Sequence, residues 1–209
     1  MARYALVLAP LASALMVGAC NAPTATSAQS ETAEIKPADA ISQPGPAVGA
    51  MALANADMAT ASGETRTILD MAGPNGVVLV FNRSLEWCPY CKGQAIKLNT
   101  MAKQITDRGY GLTVLTYDSP AKLASFASKE SISFALMSDP RSQTIDAFGV
   151  RDPQYTEGKA VGVPFASIFI LSPEGKVLAK SVSSDYKVRP TDDEVIALID
   201  QADAAKPLG

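Results

Sequence analysis

Apolar positions fall into three regimes along the chain. Ala5 to Val17 is almost wholly apolar, whereas Asn21 to about Ser62 is rich in Ala, Thr, Ser, Pro and Gln and has neither a helical nor a strand period. A short helix is expected over Glu64 to Met71, and Gly73-Pro74-Asn75-Gly76 then turns the chain into the first clear strand. Val77-Val78-Leu79-Val80-Phe81 has no polar interruption, the pattern of a strand buried on both faces of a sheet. Pro89 opens a helix that runs to about Arg108, with Leu98, Met101, Ala102 and Ile105 on one face and Gly109 as its stop. Leu112 to Tyr117 is a second strand, Ser119-Pro120 opens a helix carrying Leu123 and Phe126, and Phe134 to Met137 is a short strand. Asp139-Pro140 opens a further helix with Ile145 and Phe148 inward and Gly149 at its end. Phe165 to Leu171 and Lys176 to Ser181 flank Ser172-Pro173-Glu174-Gly175 as a hairpin. Thr191 and Glu194 form a capping box for a closing helix through Val195, Leu198, Ile199 and Ala202.

Strands alternating with helices, followed by a hairpin and a closing helix, predict an α/β fold: a three-layer α/β/α sandwich around a central mixed sheet. The expected organisation is a signal segment over 1–20, a flexible tether over 21–62 and one domain over 63–209.

Candidate chemistry concentrates where the first strand meets its helix. Cys88-Pro89-Tyr90-Cys91 places Cys88 at the helix N-cap, where unpaired backbone N–H groups and the positive end of the helix dipole favour thiolate over thiol. Cys91, one turn on, can close the ring. The chain has no histidine, which removes Ser-His and Cys-His nucleophile pairs and His-ligated metals. Two thiolates alone make a poor closed metal site, so no metal and no cofactor beyond the redox-active disulfide is expected. A net charge of -3 and no basic cluster argue against nucleic acid as a partner.

Three resemblances sharpen this reading. Val17-Gly18-Ala19-Cys20 resembles the lipobox of bacterial lipoproteins. That implies lipidation at Cys20 and a membrane anchor in the bacterial cell envelope facing the periplasm, with Asn21 favouring the outer membrane. Trp87-Cys88-Pro89-Tyr90-Cys91 resembles the signature of thioredoxins, with the Pro-Tyr dipeptide of glutaredoxins between the cysteines, and the order of elements looks like the thioredoxin fold. Val163-Pro164 matches the cis-proline that faces the thiols in such proteins, which would leave a free backbone edge for a substrate segment. Ser138-Asp139-Pro140, Ala147-Phe148-Gly149-Val150 and Phe169 to Val177 resemble the alkyl hydroperoxide reductase and thiol-specific antioxidant branch, which is peroxiredoxin-like. The chain departs from that branch where Phe81 and Leu85 replace the Pro and Thr of the peroxide pocket and where Val163-Pro164 replaces a late Arg. Arg83, Arg141 and Arg151 are the candidates to stand in for it. Asn82 takes the place of the buried Asp of thioredoxins, leaving water or Glu86 as the proton relay.

The first functional expectation is a thiol–disulfide oxidoreductase in which Cys88 attacks a partner disulfide and Cys91 resolves it, with Trp87 and Tyr90 as an apolar rim for protein thiols and disulfides. The alternative is a thiol-dependent peroxidase with Cys88 peroxidatic and Cys91 resolving. A third reading is a non-catalytic binding module that keeps the bridge oxidised. Either catalytic reading needs an external electron donor that this chain does not encode.

Overall fold

The computed structural model describes residues 43–205; the expected signal segment, Cys20 and the tether up to residue 42 lie outside the described residues. Seven strands are named β1 (Met58–Thr60), β2 (Thr65–Arg66), β3 (Gly76–Phe81), β4 (Tyr110–Thr116), β5 (Ala135–Ser138), β6 (Ala166–Leu171) and β7 (Val177–Ser183). Four α-helices, α1 (Pro89–Asp107), α2 (Pro120–Glu130), α3 (Gln143–Ala147) and α4 (Asp192–Ala204), accompany them. The sheet order is β2-β1-β5-β4-β3-β6-β7, with β3, β4 and β5 parallel and the outer pairs antiparallel. This is the mixed-sheet α/β architecture expected from the alternation of strands and helices.

β3 is central because its apolar residues alternate between two cores. Val78 and Val80 face Leu98, Met101 and Ile105 of α1, Leu123 of α2 and Ile199 of α4. Val77, Leu79 and Phe81 face Phe169, Ile145 and Phe148 on the other side. All five of these β3 side chains are fully buried, and burying each contributes roughly 1.5–3 kcal/mol. The strand therefore fixes where its last residue, Phe81, hands the chain to the loop that ends at Cys88.

Three expectations change. The helix anticipated over Glu64 to Met71 is β2 followed by a single 3-10 turn, Leu69–Met71. Thr67 and Asp70 exchange reciprocal bonds, Thr67 N to Asp70 Oδ2 at 2.7 Å and Asp70 N to Thr67 Oγ1 at 3.2 Å, which set the start of that turn. α3 begins after Ser142 rather than at Pro140, because the Asp139 carboxylate gathers the N–H groups of Gln143, Thr144 and Ile145, each at 2.9 Å. The tether does not extend to residue 62. Gly49 N and Val177 N bond the carbonyls of Val177 and Ala50, Ala52 N bonds Gly175 O, and β1 pairs with β5, so 43–62 is part of the domain. Gly45 sits at φ +86°, and a Cβ there would lie 2.6 Å from the Phe169 ring. The hairpin, the helix start at Pro89 and the Thr191–Glu194 capping box form where expected.

Candidate active site

The loop from Asn82 to Trp87 is built around Asp118. Its buried carboxylate accepts from Ser84 Oγ at 2.8 Å, Leu85 N at 2.6 Å and Thr116 Oγ1 at 3.1 Å. Ser84 Oγ then accepts from the backbone N–H of Glu86 and Trp87, at 3.0 and 3.2 Å. Three donors satisfy this carboxylate, and the loop is held as it enters α1.

Cys88 is the N-cap of α1, and its sulfur accepts from Cys91 N at 3.4 Å. The two cysteines are joined as a disulfide with Cα atoms 5.3 Å apart. Neither sulfur-bearing side chain is more than 1% exposed. Asn82 lies against Cys91, donating from Nδ2 to the Cys91 carbonyl at 3.5 Å. It is an amide donor at this point, not a proton acceptor. Glu86 is exposed and paired with Lys122 at 2.5 Å, so the structure places it in a surface ion pair instead of a relay to the thiols.

The aromatic residues take different roles. Tyr90 stays exposed with its ring edge-on to Tyr186, 5.8 Å between centroids. Trp87 is half-buried, with Arg83 5.3 Å and Lys159 5.0 Å from its ring centroid. Arg83 itself is 4% exposed and also stacks on Tyr155 and Tyr186, each at 4.3 Å. Of the three candidate arginines, Arg83 is thus beside the dithiol loop, while Arg151 is paired with Asp146.

Val163 and Pro164 need correction. No cis peptide bond occurs among the described residues, and the backbone edge there is occupied: Asp152 N bonds Val163 O at 2.9 Å and Phe165 N bonds Val150 O at 2.8 Å. Arg151 faces Pro164 as a bridge partner, which leaves that edge no room for a substrate strand.

One residue escaped the sequence reading. Arg189, in the segment before α4, donates from Nη2 to Cys91 Sγ at 3.4 Å and from Nη1 to the carbonyls of Tyr186 and Val188. Burial, with the Arg83 charge nearby, lowers its pKa to about 10, so it is a cation at neutral pH. It also lines a cleft of about 340 Å³ together with Gln94, Ser167 and Ser181. The signal present in the sequence was an Arg directly before the Pro190-Thr191 helix start. Among the described residues no group of three or more His, Cys, Asp or Glu is placed to hold a metal ion. No described helix is long and apolar enough to cross a membrane.

The AhpC/TSA family profile matches residues 48–180. Peroxiredoxin Bcp of Escherichia coli K12 is 28% identical over 134 residues, covering 64% of this chain and 83% of the relative. Peroxidoxin BcpB of Mycobacterium tuberculosis superposes with a TM-score of 0.62 at 20% identity, covering 79% of this chain and 99% of that one. The bacterioferritin comigratory protein of Xanthomonas campestris, which has alkyl peroxide reduction activity, superposes with a TM-score of 0.60 at 24% identity, covering 72% and 92%. The chain belongs to the AhpC/TSA family and is an oxidoreductase of the peroxiredoxin-like branch of the thioredoxin fold.

Proposed function

We propose that the protein is a thiol-dependent peroxidase that reduces hydrogen peroxide or an alkyl hydroperoxide through Cys88 and Cys91. The observation that carries this reading is the setting of Cys88: a helix N-cap sulfur, 1% exposed, behind a loop locked by Asp118. A small electrophile reaches such a sulfur more readily than a folded protein disulfide does. Family membership and the alkyl peroxide chemistry of the Xanthomonas relative support the same substrate class.

In this mechanism the Cys88 thiolate attacks the terminal oxygen of the peroxide, the O–O bond breaks, and the alkoxide or hydroxide leaves and takes a proton. Cys88 is now a sulfenic acid. Cys91 attacks its sulfur, hydroxide leaves as water, and the disulfide forms. An external thiol donor returns two electrons and restores the dithiol. Purified protein should consume peroxide with a dithiol reductant, Cys88→Ser should abolish this, and Cys91→Ser should accumulate a dimedone-reactive Cys88. Turnover no faster than that of free cysteine would sink the proposal.

A specific observation favours thiol–disulfide exchange as a second reading. Leu85, 1% exposed, stands where a hydroxyl would hold peroxide, and it offers no hydrogen bond. Fast exchange of the reduced chain with a protein disulfide, alongside sluggish peroxide oxidation, would select it.

We also propose that the protein works in the bacterial envelope, anchored by lipid at Cys20, on the strength of the Val17-Gly18-Ala19-Cys20 segment. Cys20→Ala should abolish palmitate labelling and move the protein out of the membrane fraction; unchanged labelling would refute the anchor.

A further inference from the structure

Four buried side-chain polar atoms lack a hydrogen-bond partner among the described residues: Asn82 Oδ1, Arg83 Nε, Gln94 Oε1 and Arg189 Nε. Two of them belong to residues that touch Cys91, and the other two adjoin these residues. Asn82 holds the Cys91 carbonyl, Gln94 lies one turn along the same helix, Arg189 reaches the Cys91 sulfur, and Arg83 shares Tyr186 with Arg189. Neither guanidinium has a carboxylate within ion-pair distance among the described residues. Asp185 acts on Arg189 from beyond ion-pair distance, so this half-buried cation is only partly compensated, which is costly.

When the disulfide opens, the Cys91 sulfur can supply a negative charge in direct contact with Arg189. We propose that Arg189 is a catalytic residue that holds Cys91 as a thiolate, making Cys91 the leaving group when the disulfide is reduced and the ready nucleophile when it re-forms. The proposal rests on the thiol redox reading of the site. In reduction, a donor thiolate attacks Cys88 Sγ and the Cys88–Cys91 bond breaks. The electron pair goes to Cys91, whose charge falls against Arg189 Nη2. A second donor thiol then releases the mixed disulfide, so the donor pair loses two electrons and the Cys88–Cys91 pair gains them. In oxidation, the same thiolate attacks the Cys88 sulfenic acid and hydroxide leaves as water. Because the reduced form is the one stabilised, the disulfide should accept electrons readily.

Other charged groups face Arg189: Arg83 from the β3–α1 loop and Asp185 from the segment before α4 act on it, Lys180 and Glu194 share one cleft with it, and Lys97, Lys187 and Asp192 share a second, while exposed Glu86 is engaged by Lys122. The test uses the full-length chain carrying Cys20→Ser. In a Cys88→Ser background, iodoacetamide alkylation against pH should show Cys91 titrating below the ordinary cysteine value of roughly 8.5. Arg189→Gln should move that titration upward, slowing alkylation at pH 6.5 about tenfold, a change of one pKa unit, and Arg189→Lys should recover part of it. With both site cysteines present, Arg189→Gln should shift the equilibrium with glutathione toward the disulfide, reaching about tenfold at a pH above the Cys91 titration, read by Trp87 fluorescence. Titration of Cys91 at or above the ordinary value would overturn the proposal even if Arg189→Gln does not fold. So would a folded Arg189→Gln with an unmoved profile and equilibrium. Peroxide enters neither readout, so a chain that shows these shifts yet consumes no peroxide loses the peroxidase reading and keeps this one.

Discussion

Trp87 Nε1 donates a 2.8 Å hydrogen bond to Tyr117 Oη, and Tyr117 donates in turn to the Lys159 carbonyl at 2.5 Å. Burial raises the Tyr117 pKa, so the phenol keeps its proton through the neutral range and the chain of bonds stays intact. The residue next to Cys88 is thereby tied to the 3-10 turn Gly158–Ala160. Tyr117→Phe keeps the ring and removes both bonds. It should cost about 1 kcal/mol and make Trp87 more accessible to acrylamide quenching. Unchanged melting and quenching would show that the link carries no weight.

Asp118→Asn tests the loop lock. An amide offers one acceptor oxygen where the carboxylate offers two, and Leu85 N and Thr116 Oγ1 share one of those oxygens. Loss of a charged acceptor for buried donors should cost about 2–3 kcal/mol in urea unfolding and slow the reaction of Cys88 with peroxide. A variant as stable as the parent would mean that the loop holds itself by packing alone.

Gly45→Ala tests whether residues 43–57 are integral to the domain. The new methyl would meet Phe169 at 2.6 Å with the backbone already at φ +86°. Destabilisation by about 1–3 kcal/mol is expected, together with faster proteolytic cleavage before β1. Wild-type stability and the same cleavage pattern would contradict the packing described.

Acid should weaken the Asp146–Arg151 pair. The Arg151 hydrogen bond lowers the Asp146 pKa from 3.8, so the pair stabilises the fold above that value and is lost as pH falls through the lowered one. Both side chains are more than a third exposed, so screening keeps the contribution below about 1 kcal/mol. Arg151→Gln should therefore be slightly less stable than the parent at pH 7, with the gap closing below 3.8 in a pH series of melts. A gap that persists at low pH would assign the effect to packing of the Arg151 side chain instead of its charge.

Local rules made the scaffold legible. The uninterrupted run Val77 to Phe81, the Pro89 helix start, the hairpin turn and the Thr191–Glu194 box each carry their structural reason in a few consecutive residues. Residues 43–57 did not read as structure because backbone bonds to Val177 and Gly175 and a glycine against Phe169 bind them, and no periodic apolar pattern reports such contacts. Arg189 was invisible for a related reason: it lies 98 positions from the sulfur it touches. The Val163–Pro164 expectation followed a family pattern into a place where Val150 to Asp152 already occupies the edge.

Both sulfurs ride on the first turn of one helix, with two residues between them. Ring closure is therefore an event inside a single chain, whose rate should be independent of protein concentration. It also asks little of the rest of the sheet, since nucleophile and target begin as neighbours. A peroxidase arranged this way has no need to borrow a thiol from a second copy, and dilution should leave its oxidation kinetics untouched.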